Sequence, residues 1–160
     1  MTLPTFDATR DLSIRRIIRA PRAAVWAAWT DAASFAQWWL PAPTRCEIVA
    51  FDPRPGGALH TRMSEAGGPF VPHMDACFLE VVKEERIVFT NALSAGWRPA
   101  PGGFMSAVIS FADHPEGTDY RSHVLHKDAA DRQTHIDYGF DEGWGSVIGQ
   151  LAALVERRVN

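Results

Sequence analysis

The stretch FDEGWGSVIGQLAALV, residues 140–155, decides the fold of this 160-residue chain. Its apolar residues recur with the period of one helix face, at i, i+4, i+7, i+8, i+11, i+14 and i+15: Phe140, Trp144, Val147, Ile148, Leu151, Leu154 and Val155. About 20 residues of helix span about 30 Å, which is enough to cross a whole sheet. The sequence therefore predicts one long C-terminal helix with a continuous apolar stripe, within a segment of helical period over residues 128–160.

Upstream of this helix the period changes to that of strands. After a first strand over residues 12–17, Pro21 precedes a short helix over residues 22–29, and Asp31 caps a second short helix over residues 32–38. Six strands bounded by turn residues follow, at 44–51, 58–64, 72–83, 86–93, 103–112 and 118–125. Very short connections predict antiparallel hairpins. We therefore expect an α+β fold, in which a curved antiparallel sheet of about seven strands wraps around the long C-terminal helix.

Length and composition predict one globular domain over residues 1–160, with its core at about 12–158. Of the residues, 46% are hydrophobic and 22% are charged, and the net charge of -3 has no run of one sign that would track phosphates. We therefore expect no nucleic-acid binding. The longest apolar runs, such as residues 23–29, are too short for a membrane span.

The N-terminus has no positively charged lead followed by an apolar stretch, so we expect no secretory signal. The two cysteines, Cys46 and Cys77, lie inside predicted strands, where buried reduced thiols are the ordinary case. Together these features favour a cytoplasmic location.

Several short motifs occur in order along the chain: Arg19-Ala20-Pro21-Arg22 leading into Val25-Trp26, then Phe35, Trp38-Trp39, Pro55-Gly56-Gly57, Glu85-Arg86-Ile87-Val88-Phe89-Thr90, Gly139-Phe140 and Gly143-Trp144. This pattern resembles the family of the activator of the heat-shock-protein-90 ATPase, C-terminal-domain-like. That family belongs to the START-like, or SRPBCC, superfamily with the helix-grip fold of the birch-pollen allergen. The resemblance covers about residues 12–155. It implies a space between the sheet and the C-terminal helix, although proteins of this fold have many functions.

Such a space suggests a binding protein for a small hydrophobic or amphipathic molecule, because ligand pockets are largely apolar and aromatic. We expect its lining to come from aromatic and apolar residues on the predicted elements: Trp38, Trp39, Phe51, Met63, Phe78, Phe89, Met105, Tyr138, Phe140, Trp144 and Ile148. Packing of these residues as ordinary core is the alternative. A glycine strip on the last helix, Gly145 and Gly149, similarly indicates either close packing or room for a ligand.

A second hypothesis is a cyclase-like or hydrolytic enzyme with a general acid or base in the cavity. The candidates are Asp75, His126, His135 and Tyr138, although strand alternation favours an Asp75 that faces water. Ser-His-Asp order, a phosphate-binding glycine loop and a paired-cysteine motif are all missing from the sequence. We therefore assign no catalytic residue and favour binding over catalysis.

Metal and cofactor sites are not expected. His123 and His126 have an odd spacing in a strand, so their side chains point to opposite faces and a shared ion with His135 is disfavoured. Arg62 and Arg121 would fix a ligand carboxylate if they pointed inward, but solvated arginines are the more frequent case.

A third hypothesis is a co-chaperone-like interaction module, which would expose aromatic side chains such as Trp38, Trp39 and Trp97. Trp97 lies in a predicted loop, where it suits a surface contact, a dimer interface or a cavity lid. A homodimer is possible for a domain of this size, and a chaperone partner is possible but has no support from the residues.

Overall fold

The computed structural model describes residues 2–160 and has the expected order of strands and helices. In chain order the elements are β1 (Asp11–Ile18), α1 (Arg22–Thr30), α2 (Ala32–Trp38), β2 (Arg45–Phe51), β3 (Ala58–Ser64), β4 (Val71–Val82), β5 (Arg86–Thr90), β6 (Leu93–Ser94), β7 (Arg98–Pro99), β8 (Ser106–His114), β9 (Gly117–Leu125), α3 (Ala129–Asp137) and α4 (Phe140–Val159). None of the helices within residues 2–160 is long and apolar enough to cross a membrane.

Seven strands form one antiparallel sheet in the order β1-β9-β8-β5-β4-β3-β2, and β6 pairs with β7 in a separate small hairpin. The long helix α4 packs against α1, α2 and β1. Its buried face carries Val147, Ile148, Leu151, Leu154 and Val155, as the apolar stripe predicts. The α+β helix-grip fold predicted from the sequence is thereby confirmed.

Three predicted elements differ from the structure. The segment of helical period over residues 128–160 is two helices, because Gly139 has a φ of +86°, which an α-helix cannot continue through. The predicted strand 86–93 ends at Thr90, and the predicted strand 103–112 begins only at Ser106. The side chain of Asn91 causes both changes, because its oxygen accepts the backbone N–H groups of Phe104 and Met105 in place of a ladder partner.

Aromatic rings fill the space between the short helices and the sheet. Trp29 is fully buried, and its ring centroid lies 5.1 Å from that of Phe35 and 6.0 Å from that of Phe89. Its indole N–H donates to the hydroxyl of the buried Tyr120 at 2.9 Å. This part of the interior is therefore a packed core.

The segment after α2 is fastened to the middle of α4 by one side chain. The Nε2 atom of Gln150 donates to the carbonyls of Trp38 and Leu40, at 3.1 and 2.8 Å, and its Oε1 accepts the backbone N–H of Ala42 at 2.7 Å. An amide side chain can donate and accept at once, so it satisfies three backbone groups that have left regular structure. Gln150 thereby sets the position of residues 39–41 relative to α4.

Candidate ligand-binding cleft

A cleft of about 420 Å³ opens beside the first turns of α4, and we call it the α4 cleft. Its walls come from the segment after α2, from β4, from the residues that follow β5 and precede β8, and from α3 and α4: Trp39, Leu40, Pro41, His73, Met74, Asn91, Phe104, Met105, His135, Tyr138, Gly139, Phe140, Gly143, Trp144 and Val147. This volume lies at the low end of the range for small-molecule pockets.

An irregularity in β4 gives the cleft two successive residues of one strand. Met74 pairs with Thr61 and Pro72 pairs with Arg62, so His73 has no partner in β3. Such a bulge re-aims side chains that would otherwise alternate between faces. His73 and Met74 both line the cleft for this reason, and the Nδ1 atom of His73 lies 2.9 Å from the hydroxyl of the buried Thr61.

Asn91 fixes the wall formed by Phe104 and Met105. Its Oδ1 accepts the backbone N–H of Phe104 at 2.8 Å and that of Met105 at 3.0 Å. Because two N–H donors point at this atom, it must be the oxygen of the side-chain amide. The other terminal atom is therefore the nitrogen of the NH₂ group. That NH₂ group has no acceptor within residues 2–160, so it is available to a molecule in the cleft.

A chain of hydrogen bonds, which we call the histidine chain, runs from the cleft wall into the protein. The indole Nε1 of Trp144 donates to Nε2 of His135 at 3.3 Å, Nδ1 of His135 lies 2.8 Å from Nε2 of His126, and Nδ1 of His126 lies 2.8 Å from the carbonyl oxygen of Arg10. An indole N–H can only donate and a carbonyl can only accept. Each histidine therefore donates through Nδ1 and accepts through Nε2, which makes both rings neutral.

The surroundings of His135 also favour the neutral ring. Burial lowers the pKa of His135 from 6.5 to about 4, and the nearby His126 contributes to the shift. The rings of Phe104 and Phe140 lie 5.1 and 5.0 Å from the ring of His135. These apolar neighbours exclude water, so a protonated His135 would lose hydration that nothing nearby replaces. Both ring nitrogens of His135 are occupied while the chain holds, so neither is free to remove a proton from a bound molecule.

Five of the residues predicted to line a cavity do line the α4 cleft: Trp39, Met105, Tyr138, Phe140 and Trp144. Tyr138 lies at the rim, with 79% of its surface exposed. The other six lie outside it, four as buried core and two half-buried against that core: Trp38, Phe78, Phe89 and Ile148, then Phe51 and Met63. They pack against one another or against neighbours, as Phe51 does against Phe78 at a centroid distance of 5.8 Å.

Among the lining residues that were not predicted, four shape the cleft most directly: His73, Met74, Asn91 and Gly143. The bulge in β4 depends on how β4 pairs with β3, and the hydrogen bonds of Asn91 depend on where Phe104 and Met105 lie. The sequence carries no signal for either. Gly143 did carry a sequence signal, because the pair Gly143-Trp144 is one of the motifs of the family pattern. A Cβ atom added at Gly143 would meet no heavy atom within 4 Å.

The other candidate polar residues lie elsewhere. Asp75 is exposed on β4, as strand alternation predicts. Arg62 donates to Glu47 and to the carbonyl of Phe70, so it does not reach the cleft. His126 is buried and does not line the cleft either.

The remaining glycine and tryptophan candidates also lie outside the cleft. Cβ atoms added at Gly145 and Gly149 would come within 3.8 Å of Ile14 and Arg16, so this glycine strip faces β1 at ordinary contact distance. Trp97 is 51% exposed, and its ring lies against Gly56.

A second groove, of about 380 Å³, lies between the N-terminal segment and the outer face of β1, β8 and β9. Hydrogen bonds from Arg15 and Arg121 hold the pKa of Asp119 well below its usual range. His123 contacts the buried carboxylate of Asp11 at 2.8 Å. Each basic side chain in this groove is thus already paired with an acid, and the α4 cleft is the better candidate for a ligand.

Comparison with known proteins places the chain among bacterial relatives. Residues 19–156 match the family described as Activator of Hsp90 ATPase homolog 1-like protein. A crystal structure from Nitrosomonas europaea is 35% identical, with a TM-score of 0.87 over 96% of this chain and 98% of that one. A protein from Chromobacterium violaceum is 27% identical, with a TM-score of 0.70 and coverage of 91% and 97%. An AHSA1-like protein from Aeromonas hydrophila, at 20% identity and a TM-score of 0.68 over 92% and 93%, shares the fold. A search among curated proteins gave no match.

Proposed function

Because the chain belongs to the Activator of Hsp90 ATPase homolog 1-like protein family, in the START-like superfamily, we propose that it binds a small hydrophobic or amphipathic molecule in the α4 cleft. The observation that carries this proposal is a cleft of about 420 Å³ with aromatic and thioether side chains on its walls. Apolar surface of this kind gains free energy when it is removed from water.

Gly143 supports the proposal independently. A glycine inside a helix destabilises it by about 0.5–1 kcal/mol relative to alanine, and such residues usually allow a close approach of neighbouring atoms. At Gly143 no heavy atom lies within 4 Å of the missing Cβ, so close packing gives no reason for it. The space beside Gly143 is part of the cleft, where a bound molecule would occupy it.

The adaptable residues of the walls suit a ligand of modest size. Met74 and Met105 are flexible and polarizable, so they adjust to the shape of an aromatic or short acyl group. The cleft volume of about 420 Å³ is at the small end of the range for small-molecule pockets. A two-chain lipid would exceed this space.

The alternatives have less support among the described residues. An enzyme would need an acid or base at the cleft, where the two nitrogens of His135 are engaged and Asp75 is absent, so Tyr138 at the exposed rim is the candidate that remains. A co-chaperone-like module would expose Trp38, Trp39 and Trp97; the first two are 1% and 9% exposed, whereas Trp97 is 51% exposed. A homodimer stays a prediction, with Trp97 as its candidate contact. A cytoplasmic location also stays a proposal, which the free thiols of Cys46 and Cys77 favour.

The test places a larger side chain in the cleft by a substitution in α4. Gly143→Leu places a side chain in the open space, so we expect the affinity for 2-naphthol, followed by calorimetry, to fall at least about tenfold. The variant should remain folded, because leucine is the better helix former. Gly145→Ala is the matched control: it also removes a glycine from α4 but faces β1, and its affinity should stay within about twofold of that of the wild type. A folded Gly143→Leu protein that binds 2-naphthol as well as the wild type does would contradict the proposal.

A further inference from the structure

The walls of the α4 cleft carry no formally charged side chain. Among residues 2–160, none of those that line it is Asp, Glu, Lys or Arg. Nearby charges are acidic and flank the rim in sequence, at Asp137, Asp141 and Glu142, all of which are exposed. An anion would therefore approach against negative charge and lose its hydration without gaining a cationic partner. A cation would find aromatic rings but no carboxylate on the walls.

The histidines do not supply the missing charge. In the histidine chain every ring nitrogen is engaged, and its donors and acceptors alternate from Trp144 to the carbonyl of Arg10. A second proton on His126 or His135 would set two hydrogens against each other within the chain. The histidine chain therefore keeps His135 neutral for as long as it is intact, and burial lowers the pKa of His73, the other histidine on the walls.

Two donors on the walls have no hydrogen-bond partner within residues 2–160, and the hydroxyl of Tyr138 at the exposed rim can both donate and accept. The NH₂ group of Asn91 has no acceptor within residues 2–160, because its oxygen alone makes the bonds to Phe104 and Met105. The indole N–H of Trp39 is buried and has no hydrogen-bond partner among the described residues either. The Trp39 nitrogen has almost no accessible surface, so the NH₂ group of Asn91 is the donor that a molecule in the cleft can reach. The arrangement is complementary to a carbonyl or another neutral oxygen.

We infer that the α4 cleft selects an uncharged molecule, with an apolar body and a hydrogen-bond acceptor that the side-chain amide of Asn91 holds. This inference rests on the proposed function, since it names the chemical class of the ligand for the same cleft. It separates this ligand from fatty-acid anions and phosphate esters, which share the apolar body but carry a charge.

The first experiment compares three probes of one shape at pH 7.5: 2-naphthylacetamide, 2-naphthylacetate and 2-(2-naphthyl)ethylamine. We expect the uncharged amide to bind at least about tenfold more tightly than either ion, because each ion loses hydration without a partner. Equal affinities, or a preference for either ion, would overturn the inference while leaving the proposed function intact. Failure of all three probes and of 2-naphthol to bind would overturn both.

The second experiment removes the donor. Asn91→Asp keeps the oxygen acceptors for the backbone of Phe104 and Met105 but loses the NH₂ group, so the affinity for 2-naphthylacetamide should fall about tenfold. The affinity for 2-methylnaphthalene, which has no acceptor, should change by less than about twofold. Unchanged amide binding in a folded Asn91→Asp protein would contradict the role of Asn91.

The third experiment supplies a charge. Gly143→Lys adds an ammonium group where a side chain meets no neighbour, so it should shift the ratio of carboxylate to amide affinity at least about tenfold toward the carboxylate. An unchanged ratio would show that charge at the cleft does not determine which probe binds.

Discussion

Acidification should destabilise this protein through the histidine chain. Burial and the proximity of His126 lower the pKa of His135 from 6.5 to about 4, while the unfolded chain keeps the ordinary value. Between these two pH values the unfolded chain binds a proton that the folded protein does not bind. The free energy of unfolding therefore decreases as the pH falls from about 6.5 to about 4, and this contribution is absent above pH 6.5. Groups that face His135 are His126 from the end of β9, Trp144 and Phe140 from α4, and Phe104.

The size of the effect follows from the two pKa values. A shift from 6.5 to about 4 corresponds to at most about 3.4 kcal/mol once both states are fully protonated, and to about 2 kcal/mol at pH 5.0. His135 is partly exposed, and screening by solvent reduces such contributions. We therefore expect about 1 kcal/mol to be lost between pH 7.5 and pH 5.0 on account of this side chain.

The assay is urea unfolding of the wild type and of His135→Gln at both pH values. Glutamine can still donate and accept but does not titrate, so the variant should lose about 1 kcal/mol less than the wild type on acidification. His60→Gln, which removes a histidine from β3 outside the chain, should behave as the wild type does. The same pH dependence in wild type and His135→Gln would refute the assignment of neutral rings to the histidine chain.

Two further predictions concern buried hydrogen bonds. Gln150→Leu removes three hydrogen bonds between α4 and the segment after α2, so the free energy of unfolding, measured by urea unfolding, should fall by about 2–3 kcal/mol. A change below about 0.5 kcal/mol would contradict the role of Gln150. Tyr120→Phe leaves the buried indole N–H of Trp29 unpaired and should cost about 1–3 kcal/mol. The double variant Tyr120→Phe with Trp29→Phe should cost less than the sum of the two single variants, and strict additivity would argue against coupling through this bond.

The sequence predicted the elements better than their ends. The apolar stripe over residues 140–155 predicts α4 because helix period and burial coincide at Val147, Ile148 and Leu151. The break at Gly139 was not predicted, because a glycine is compatible with a helix and only its φ of +86° separates α3 from α4. β5 ends at Thr90 because the side-chain oxygen of the next residue, Asn91, accepts the backbone N–H of Phe104, an interaction that strand propensity does not include.

The candidate site was only partly predictable. An aromatic residue at an inward position has the same pattern in a packed core as in a cavity wall, and Phe78, Phe89 and Trp38 follow the core alternative. Trp39 and Trp144 were predicted from the same pattern and do line the cleft, so the pattern by itself does not separate core from cleft wall. His73 and Asn91 required knowledge of strand register and of loop hydrogen bonds, which arise only when the chain is folded.

Because the bulge in β4 adds one unpaired residue to the cleft wall, deleting that residue would change which side chains line the cleft. His73 is an inserted residue: its neighbours Pro72 and Met74 already pair with Arg62 and Thr61. Removing it would restore a regular ladder without shifting the pairing on either side. A single-residue deletion is therefore expected to change the composition of this wall and to remove the partner of the buried Thr61 hydroxyl, while the register of β3 and β4 is left unchanged.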